Sequence, residues 1–311
     1  MKVLCVGHLA YDFTCNVDSM PVENTKSHFK ADNAHAGGFG ANTSCLLGKY
    51  GVETYLSSAV GDDTYGTKIR EELKLNQVHL DYVETLYSNE TSFSLILNNA
   101  PNRTVYGVSN EPLFKKKNDI NIKPDIILTD SYDYNMILDI IEKFKDSITI
   151  VDADKYNDST KEICKRVKYI IASKTFAENA TQIKLDVKDS NSLASAYASL
   201  LKQFPDKIII VTLEDYGALY MIDNQVRIMP GLQVEPKDTT GAGDIFRAGF
   251  VFAMAQNYDF EKCITFANIA AGLSTRNLGG ASSIPDLTEV NSYMASKYEI
   301  KNDNNTQNAN A

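Results

Sequence analysis

Short apolar runs that alternate with segments of helical length constrain this chain more than any other feature of its sequence. Six runs have the length and apolarity of buried strands: residues 2–6, 54–60, 125–129, 148–152, 169–172 and 207–212. The segments between them, such as residues 191–203, have the length and periodicity of helices. This alternation is typical of a mostly parallel sheet covered on both faces, so we expect an α/β protein with three layers, an α/β/α sandwich.

Two segments depart from that pattern and alternate apolar and polar residues with a period of two. They cover residues 13–18 and 91–97, and the second places Phe93, Leu95 and Leu97 on one side. Such alternation suits antiparallel strands with one face in water. Together with residues 27–33, we interpret them as a small inserted β-sheet lid with segments at 12–35 and 88–108. Two unrelated hairpins are the alternative.

Composition and charge exclude several classes of protein. The 311 residues carry a formal net charge of −9, which argues against a nucleic-acid or anionic-membrane partner. No stretch approaches the roughly 18 apolar residues of a membrane helix. Five scattered cysteines without a CxxC pair favour reduced thiols in a cytoplasmic protein. We expect one α/β domain over residues 1–300 and a disordered polar tail over residues 301–311.

The most informative run is Asp238-Thr-Thr-Gly-Ala-Gly-Asp244, which leads into a segment that is apolar nearly all round and is predicted to be a buried helix. Gly241, Ala242 and Gly243 let backbone N–H groups point at one spot, where the helix start adds partial positive charge. This combination predicts an anion hole for a transferring phosphoryl group. Asp244 stands beside it, as a carboxylate that orients an acceptor hydroxyl and takes its proton. The plainer interpretation of Asp244 is a helix cap.

The same run, DTTGAGDIFRAGF, closely resembles the C-terminal signature of the ribokinase/PfkB carbohydrate-kinase family. Near the N-terminus, AGGFGANTSCLLGKYG resembles the first signature of that family, and the resemblance extends over residues 1–286. It implies a ribokinase-like fold and an ATP-dependent kinase for a small-molecule sugar, with Asp244 as catalytic base. By their matching positions, Asp12, Gly37, Gly38 and Asn42 are implied to contact the sugar.

The resemblance also implies a nucleotide site and a Mg²⁺ ion. The positions implied for the nucleotide are Lys174, Glu178, Thr212, Glu214, Gly217 and Asn268, with Gly217 as the point of close approach. The family's Asn-x-x-Glu motif is incomplete here, because Thr175 replaces the Asn and only Glu178 stands at its place. Asp152 and Asp154, at the end of a predicted strand, are a second candidate for holding the metal.

Relatives with a monovalent-cation site take its ligands from two segments that this chain matches. The matching residues are Asp238, Thr240, Ser274, Asn277, Gly279 and Ser283, so the resemblance implies a K⁺ site at these positions. Backbone carbonyls supply such ligands with many different side chains, and the sequence therefore tests this implication poorly.

Only the resemblance to the family restricts the class of acceptor substrate. Members that use phosphorylated sugars often have a lysine where this chain has Phe39, which disfavours such substrates. The Ser-Lys pair at 173–174 and the run TRNLGG…SSIPD resemble ketohexokinase-like and sulfofructose-kinase-like members. They imply a ketose that is phosphorylated on a terminal CH2OH. The lid residues that are candidates for substrate choice are His28, Lys30, Arg103 and Tyr106.

Several alternatives remain open from the sequence. A nucleoside kinase of the same family would need an aromatic slot, for which Tyr11, Phe13 and Phe39 are candidates, and a non-catalytic sugar sensor would keep the same fold. Arg247 is unusual in the signature helix, and we expect it to pair with an internal carboxylate rather than an anionic substrate. An exposed apolar lid face suits a homodimer. The four histidines, His8, His28, His35 and His79, lack metal-ligand spacing and are interpreted as structural.

Overall fold

The structure is a computed structural model, and it describes residues 1–29, 33–87, 89–100, 102–108 and 119–296. The predicted tail at 301–311 and the lid candidate Lys30 lie outside these residues. Within them, no helix combines the length and the apolar character that a membrane crossing requires. The strands are β1 (Lys2–Val6), β2 (Ala10–Asn16), β3 (Asn33–Gly37), β4 (Glu53–Gly61), β5 (His79–Leu86), β6 (Phe93–Asn99), β7 (Asn102–Val108), β8 (Ile126–Thr129), β9 (Ile148–Ala153), β10 (Tyr169–Ser173), β11 (Ile208–Thr212), β12 (Ala218–Ile222) and β13 (Gln225–Met229).

Nine of these strands form one large sheet in the order β13-β12-β11-β10-β9-β8-β1-β4-β5. The strands from β11 through to β5 run parallel, and β12 and β13 are added antiparallel at one edge. All six strand runs expected from the sequence lie in this sheet. The carboxyl ends of its parallel strands meet along one edge, which is where such sheets place ligands.

Eight helices have both ends among the described residues: α1 (Gly38–Lys49), α2 (Thr64–Leu75), α3 (Tyr134–Lys143), α4 (Asp158–Cys164), α5 (Lys174–Thr181), α6 (Ser190–Gln203), α7 (Ala242–Ala255) and α8 (Phe260–Ser274). Six of the eight begin with a side chain that accepts a hydrogen bond from a first-turn N–H. The other two, α1 and α7, begin after Gly37 and Gly241, with no side-chain cap from any described residue. These two uncapped helix starts lie in the two runs that resemble family signatures, AGGFGANTSCLLGKYG and DTTGAGDIFRAGF.

The core lies on both faces of the large sheet. Alternate residues of β1 separate into two buried clusters, with Val3 and Cys5 on the side of α1, α7 and α8, and Leu4 and Val6 on the side of α3 to α6. Two helical layers therefore enclose the sheet, and the predicted three-layer α/β/α sandwich is confirmed.

The lid is a separate four-stranded sheet in the order β3-β2-β6-β7. One sheet contains both predicted lid segments, so the alternative of two unrelated hairpins is wrong. The antiparallel prediction holds for β2–β3 and β6–β7 but is wrong for the central pair, because β2 and β6 are parallel. They follow β1 and β5, which run in the same direction in the large sheet. The third lid strand is Asn33–Gly37, later than the expected 27–33.

Candidate active site

The start of α7 is where the sequence predicts an anion hole. Gly241 has a φ of 74°, and a Cβ at this residue would lie 2.8 Å from Gly280 Cα. Both the backbone conformation and the close approach therefore require glycine. The N–H groups of Gly243 and Asp244 lie in the first turn, where a helix provides no carbonyl partner. The Ala242 N–H contacts Thr239 O at 3.3 Å. The helix start thus offers amides and partial positive charge to an anion.

Asp244 is held in place by a residue of the other signature. Asn42 Nδ2 donates to Asp244 Oδ2 at 2.7 Å, so α1 fixes the carboxylate that α7 carries. Burial raises the pKa of Asp244, while the Arg247 guanidinium, the Asn42 hydrogen bond and His8 oppose that rise. The cap interpretation of Asp244 is wrong, because Gly241 occupies the cap position. Asn42, expected at the sugar, thus also positions the predicted base.

The residues expected to contact the sugar lie together where β3 leads into α1, and we call this group the sugar wall. Asp12 is buried, and a Cβ at Gly37 would lie 1.9 Å from Asp12 Oδ2, so the carboxylate lies directly against the glycine backbone. Gly38 has a φ of 79° and contacts His8 in the same way. Burial raises the pKa of Asp12, and His35, its partner across β2 and β3, lowers it. Asp12, Gly37 and Gly38 therefore meet at one site.

His8 and Asp130, neither of them among the site residues expected from the sequence, complete this wall. Each follows the carboxyl end of a parallel strand, β1 for His8 and β8 for Asp130, and these two strands are neighbours. His8 Nδ1 lies 2.9 Å from Asp130 Oδ2. His8, interpreted above as structural, interacts electrostatically with both Asp244 and Asp12. The available sequence signal was a polar residue after each of two buried runs, which does not reveal that they meet.

Arg247 pairs with an internal carboxylate, as expected. Arg247 Nη2 lies 2.5 Å from Asp152 Oδ1, and both residues are buried. A Cβ at Gly243 would lie 2.5 Å from Arg247 Nη1, so the guanidinium lies beneath the helix start. Burial raises the pKa of Asp152 to about 7, although Arg247 opposes the rise. Asp152 is therefore committed to a cation that the protein itself supplies.

Few carboxylates near the start of α7 are available to hold a Mg²⁺ ion. Within the described ranges, no group of three or more His, Cys, Asp or Glu residues is arranged to hold a metal ion. Asp152 faces Arg247, and Asp154 is exposed at the end of β9. This sparse set suits Mg²⁺, which is often held by one or two carboxylates together with substrate phosphates and water.

The residues expected at the nucleotide divide into two groups. Lys174, Thr212 and Glu214 lie together at the carboxyl ends of β10 and β11, with Lys174 Nζ 3.7 Å from Glu214 Oε2. Thr212 Oγ1 donates to Ala172 O at 3.3 Å. These three form the candidate nucleotide edge of the sheet.

The other three expected nucleotide residues have local structural contacts. Glu178 accepts from Lys184 Nζ and Leu185 N, so it fixes the segment after α5. A Cβ at Gly217 would lie 2.1 Å from Met229 O, so the backbone at Gly217 closely approaches β13. Asn268 Nδ2 donates to Met229 O at 3.0 Å and ties α8 to β13. The nucleotide contacts expected for Glu178, Gly217 and Asn268 stay predictions.

The expected K⁺ ligands lie on two loops that Asp238 joins. Its Oδ1 accepts from Thr240 N at 2.8 Å and its Oδ2 from Gly279 N at 2.9 Å. Asn277 N donates to Ser274 O at 3.2 Å. The remaining member, Ser283, donates its Oγ hydrogen to Gly280 O at 2.8 Å. The six residues thus belong to one connected region, in which the buried Thr240 Oγ1 has no hydrogen-bond partner among the described residues.

The lid contacts the loop that precedes the anion hole. Asn98 of β6 donates to Lys237 O at 3.0 Å, and Arg103 of β7 donates to Thr239 Oγ1. Asn98 and Arg103 are opposite each other and share the lid face of Asp12, because side chains alternate along each strand. Tyr106 lies on the other face and is exposed, as is His28 in the segment before β3. Of the described lid candidates for substrate choice, Arg103 is therefore the best placed.

The aromatic slot that a nucleoside base would need does not form at this wall. Tyr11 and Phe13 alternate with Asp12 along β2 and pack against Tyr65 on the other face, with ring centroids 5.1 and 5.6 Å apart. Phe39 is buried in the core. Tyr11 and Phe39 are therefore core residues, Phe13 is partly buried against the same core, and Tyr11 and Phe13 face away from Asp12.

Comparisons with known proteins show which family this chain resembles. The family model described as pfkB family carbohydrate kinase matches residues 1–287. Ribokinase of Bacillus subtilis is 29% identical over 312 residues, which cover 95% of this chain and 100% of the relative. The nucleoside kinase of Methanocaldococcus jannaschii is 25% identical over 300 residues, with 93% and 95% coverage.

Solved structures support the same fold. Ribokinase from Thermotoga maritima has a TM-score of 0.79 at 22% identity and covers 94% of this chain and 99% of its own. Arabidopsis thaliana ribokinase, complexed with ribose and ATP, has a TM-score of 0.77 at 22% identity, with 94% and 99% coverage. With the family model matching nearly the whole chain and the fold and signatures in agreement, this protein belongs to the pfkB family of carbohydrate kinases, which are ATP-dependent phosphotransferases.

Proposed function

We propose that the protein transfers the γ-phosphoryl group of ATP to a hydroxyl of an unphosphorylated sugar, at a terminal CH2OH. The observation that carries this proposal is the 2.7 Å hydrogen bond between Asn42 and Asp244 beside the uncapped start of α7. One carboxylate oxygen is fixed, and the other remains for an acceptor hydroxyl. The start of α7 thereby takes the charge of the phosphoryl group, and the adjacent Asp244 carboxylate takes the acceptor proton.

In this mechanism Asp244 accepts a hydrogen bond from the acceptor hydroxyl and aligns its oxygen with the γ-phosphorus. The new O–P bond forms as the bond from the γ-phosphorus to the ADP oxygen breaks, and the acceptor proton passes to Asp244. The amides of Gly243 and Asp244 stabilise the charge on the transferring group. When bound, Mg²⁺ would offset the charge of the phosphates, and Asp154 would be the carboxylate available to hold it.

The acceptor wall is assigned to Asp12, Gly37 and Gly38, with Arg103 of the lid above them. Closing such a lid excludes water, which would otherwise accept the phosphoryl group. We assign Lys174, Thr212 and Glu214 to the nucleotide side. A K⁺ ion at the joined loops of Asp238 and Gly279 remains part of the proposal.

The experiment that tests this proposal is an ATP-consumption assay over ketoses, pentoses and nucleosides, with and without K⁺ and with Mg²⁺ present or chelated. The proposal expects turnover of a free sugar that requires Mg²⁺. Turnover of nucleosides alone would replace the sugar with the second candidate. That candidate, a nucleoside kinase, is favoured by the similarity to the Methanocaldococcus jannaschii nucleoside kinase and disfavoured by the burial of Tyr11 and Phe39 in the core.

We also propose a homodimer through the outer face of the lid, where Tyr106 and Val108 are 55% and 42% exposed. A reducing, cytoplasmic location is proposed from the cysteines. All five are buried, and burial raises the pKa of Cys5, Cys45, Cys164 and Cys263.

A further inference from the structure

His8 is fixed by three contacts, and its second ring nitrogen, Nε2, has no hydrogen-bond partner among the residues that the structure describes. Asp130 Oδ2 accepts from the His8 backbone N–H at 3.0 Å and lies 2.9 Å from His8 Nδ1. The other oxygen of Asp130 accepts from Tyr132 N at 2.9 Å, and the Tyr132 ring lies 5.1 Å from the His8 ring. The carboxylate thus orients both the backbone and the imidazole, and Nδ1–H is committed to Asp130.

The free edge of the imidazole faces the proposed sugar wall. A Cβ at Gly38 would lie 3.1 Å from His8 Nε2 and 3.0 Å from His8 Cδ2, so this edge contacts the turn that begins α1. The His8 side chain is 38% exposed, which leaves it accessible to a small ligand. A fixed, accessible ring nitrogen beside an acceptor site is suited to binding that acceptor.

The charges around His8 favour its protonated form. Three carboxylates act on it from different elements: Asp130 after β8, Asp12 on β2 and Asp244 on α7. The Gly38 turn of α1 contributes backbone only, and nearby Asp133 is committed to capping α3. These carboxylates raise the pKa of His8, although burial acts in the opposite direction. With Nδ1–H directed at Asp130, protonation places a hydrogen on Nε2, and deprotonation turns Nε2 into an acceptor.

We propose that His8 is a substrate-binding residue, oriented by Asp130, whose Nε2–H donates to an oxygen of the acceptor next to the hydroxyl that Asp244 deprotonates. This inference rests on the proposed function and narrows its substrate class. The acceptor carries a hydroxyl or ring oxygen that accepts from His8, another hydroxyl that donates to Asp12, and the reacting CH2OH. Its recognition therefore depends on the full set of neighbouring oxygens, and a deoxy analogue that lacks the His8 partner binds more weakly.

The test uses the full-length protein and the best acceptor found in the assay panel. His8→Asn keeps a donor near Asp130 but removes the Nε2 contact, whereas His8→Gln places a donor near the Nε2 position. We expect His8→Asn to raise the KM for the acceptor about 10- to 100-fold, with the KM for ATP unchanged and partial recovery in His8→Gln. His79→Asn, an exposed histidine on β5, is the matched control and leaves both constants unchanged.

The pH profile and the deoxy analogues distinguish substrate binding by His8 from a purely structural role, which would change neither of them. In the wild type the acceptor KM rises as pH rises through the His8 pKa, because the donor is lost; in His8→Asn it does not. The analogue that lacks the His8 partner shows equal KM values in wild type and His8→Asn, as expected for two changes that remove one contact. In ¹H–¹³C spectra, which contain four histidine signals, the His8 signal shifts when the acceptor binds.

The outcomes separate this inference from the function it rests on. A wild-type enzyme with normal turnover, together with a folded His8→Asn variant whose acceptor KM and pH profile are unchanged, would overturn the role of His8 alone. A wild-type enzyme that phosphorylates no acceptor in the panel would overturn the proposed function and this inference with it.

Discussion

At the scale of single residues, the site depends on contacts between side chains from distant parts of the chain. Asn42 and Asp244 are 202 positions apart and share a 2.7 Å hydrogen bond. Asp12 lies against Gly37 so closely that a single added carbon at the glycine would overlap it. Substitutions at these positions should therefore affect the reaction more than the fold.

Removing the Asn42 amide should impair Asp244 as a base. Asn42→Ala removes a hydrogen bond that favours the charged carboxylate, so the pKa of Asp244 rises further. We expect kcat/KM at neutral pH to fall about 10- to 100-fold, and the acidic limb of the kcat profile to move to higher pH. The measurement is a pH–rate profile, with the exposed Asn179→Ala on α5 as control. An unmoved acidic limb would contradict this role of Asn42.

Adding one carbon at Gly37 should displace Asp12. The Cβ of Gly37→Ala would lie 1.9 Å from Asp12 Oδ2, so the carboxylate has to move. We expect the KM for the sugar to rise at least about 10-fold while the KM for ATP changes little. Gly107→Ala in β7 is the control, because a Cβ there has no neighbour within 4 Å among the described residues. Equal kinetics in the two variants would remove Asp12 and Gly37 from the acceptor site.

A short motif was enough to name candidate site residues, as at Asp244 and its glycines, whose roles stay predictions. Side-chain partners were not predictable, because they depend on how strands are ordered in the sheet. Glu178 shows this, since its motif position pointed to the metal, whereas its carboxylate binds Lys184 and Leu185 N. His8 and Asp130 show the converse, because no spacing in the sequence indicates that β1 and β8 are neighbours.

At the scale of elements, the site lies between two helices that begin at glycines. The starts of α1 and α7 lack a side-chain cap from the described residues, whereas the other six helices with both ends described have one. Beneath the α7 start, Arg247 and Asp152 form a buried pair that joins this helix to β9. The sequence predicted a helix at 191–203, the buried helix α7 and six strands of the large sheet. It did not predict the parallel β2–β6 pair, since pairing direction depends on the chain's path between sheets.

The buried pair should dominate the stability of the α7 start. Arg247→Met leaves Asp152 buried without its cation, which should lower the free energy of unfolding by about 3–5 kcal/mol. Replacing both residues, as Arg247→Met with Asp152→Leu, should recover most of that loss. Urea unfolding measures both effects. Arg227→Met, whose ion pair with Glu261 is partly exposed, is the control and should cost less than about 1 kcal/mol.

A double variant as unstable as Arg247→Met would contradict this account of the pair. It would show that the loss comes from the packing of the guanidinium and not from an unpaired carboxylate in the protein interior.

At the scale of the whole molecule, the lid and the large sheet face each other across the site. Asn98 and Arg103 link the lid to residues 237–239, just before the anion hole. The opposite lid face exposes Tyr106 and Val108. The two-sheet arrangement was predictable from the change of period in the sequence. The exact lid strands were not, because within the described part of the expected segment 27–33 only Asn33 lies in a strand, as the first residue of β3.

The proposed dimer depends on that outer face. Tyr106→Lys combined with Val108→Lys places two charges where two apolar side chains would otherwise pack, so we expect a monomer. Light scattering after size-exclusion chromatography gives the mass, and the 34.5 kDa chain separates the two states clearly. Leu75→Lys, 82% exposed at the end of α2, is the control. A monomeric wild type would end the dimer proposal.

The central claim, that Asp244 removes the acceptor proton beside amides at the start of α7, is tested most directly by the turnover of Asp244→Asn. The account predicts that kcat falls by at least about 100-fold, while calorimetry shows acceptor binding close to that of the wild type. A variant that keeps wild-type turnover would contradict the claim, whatever its affinity for the sugar.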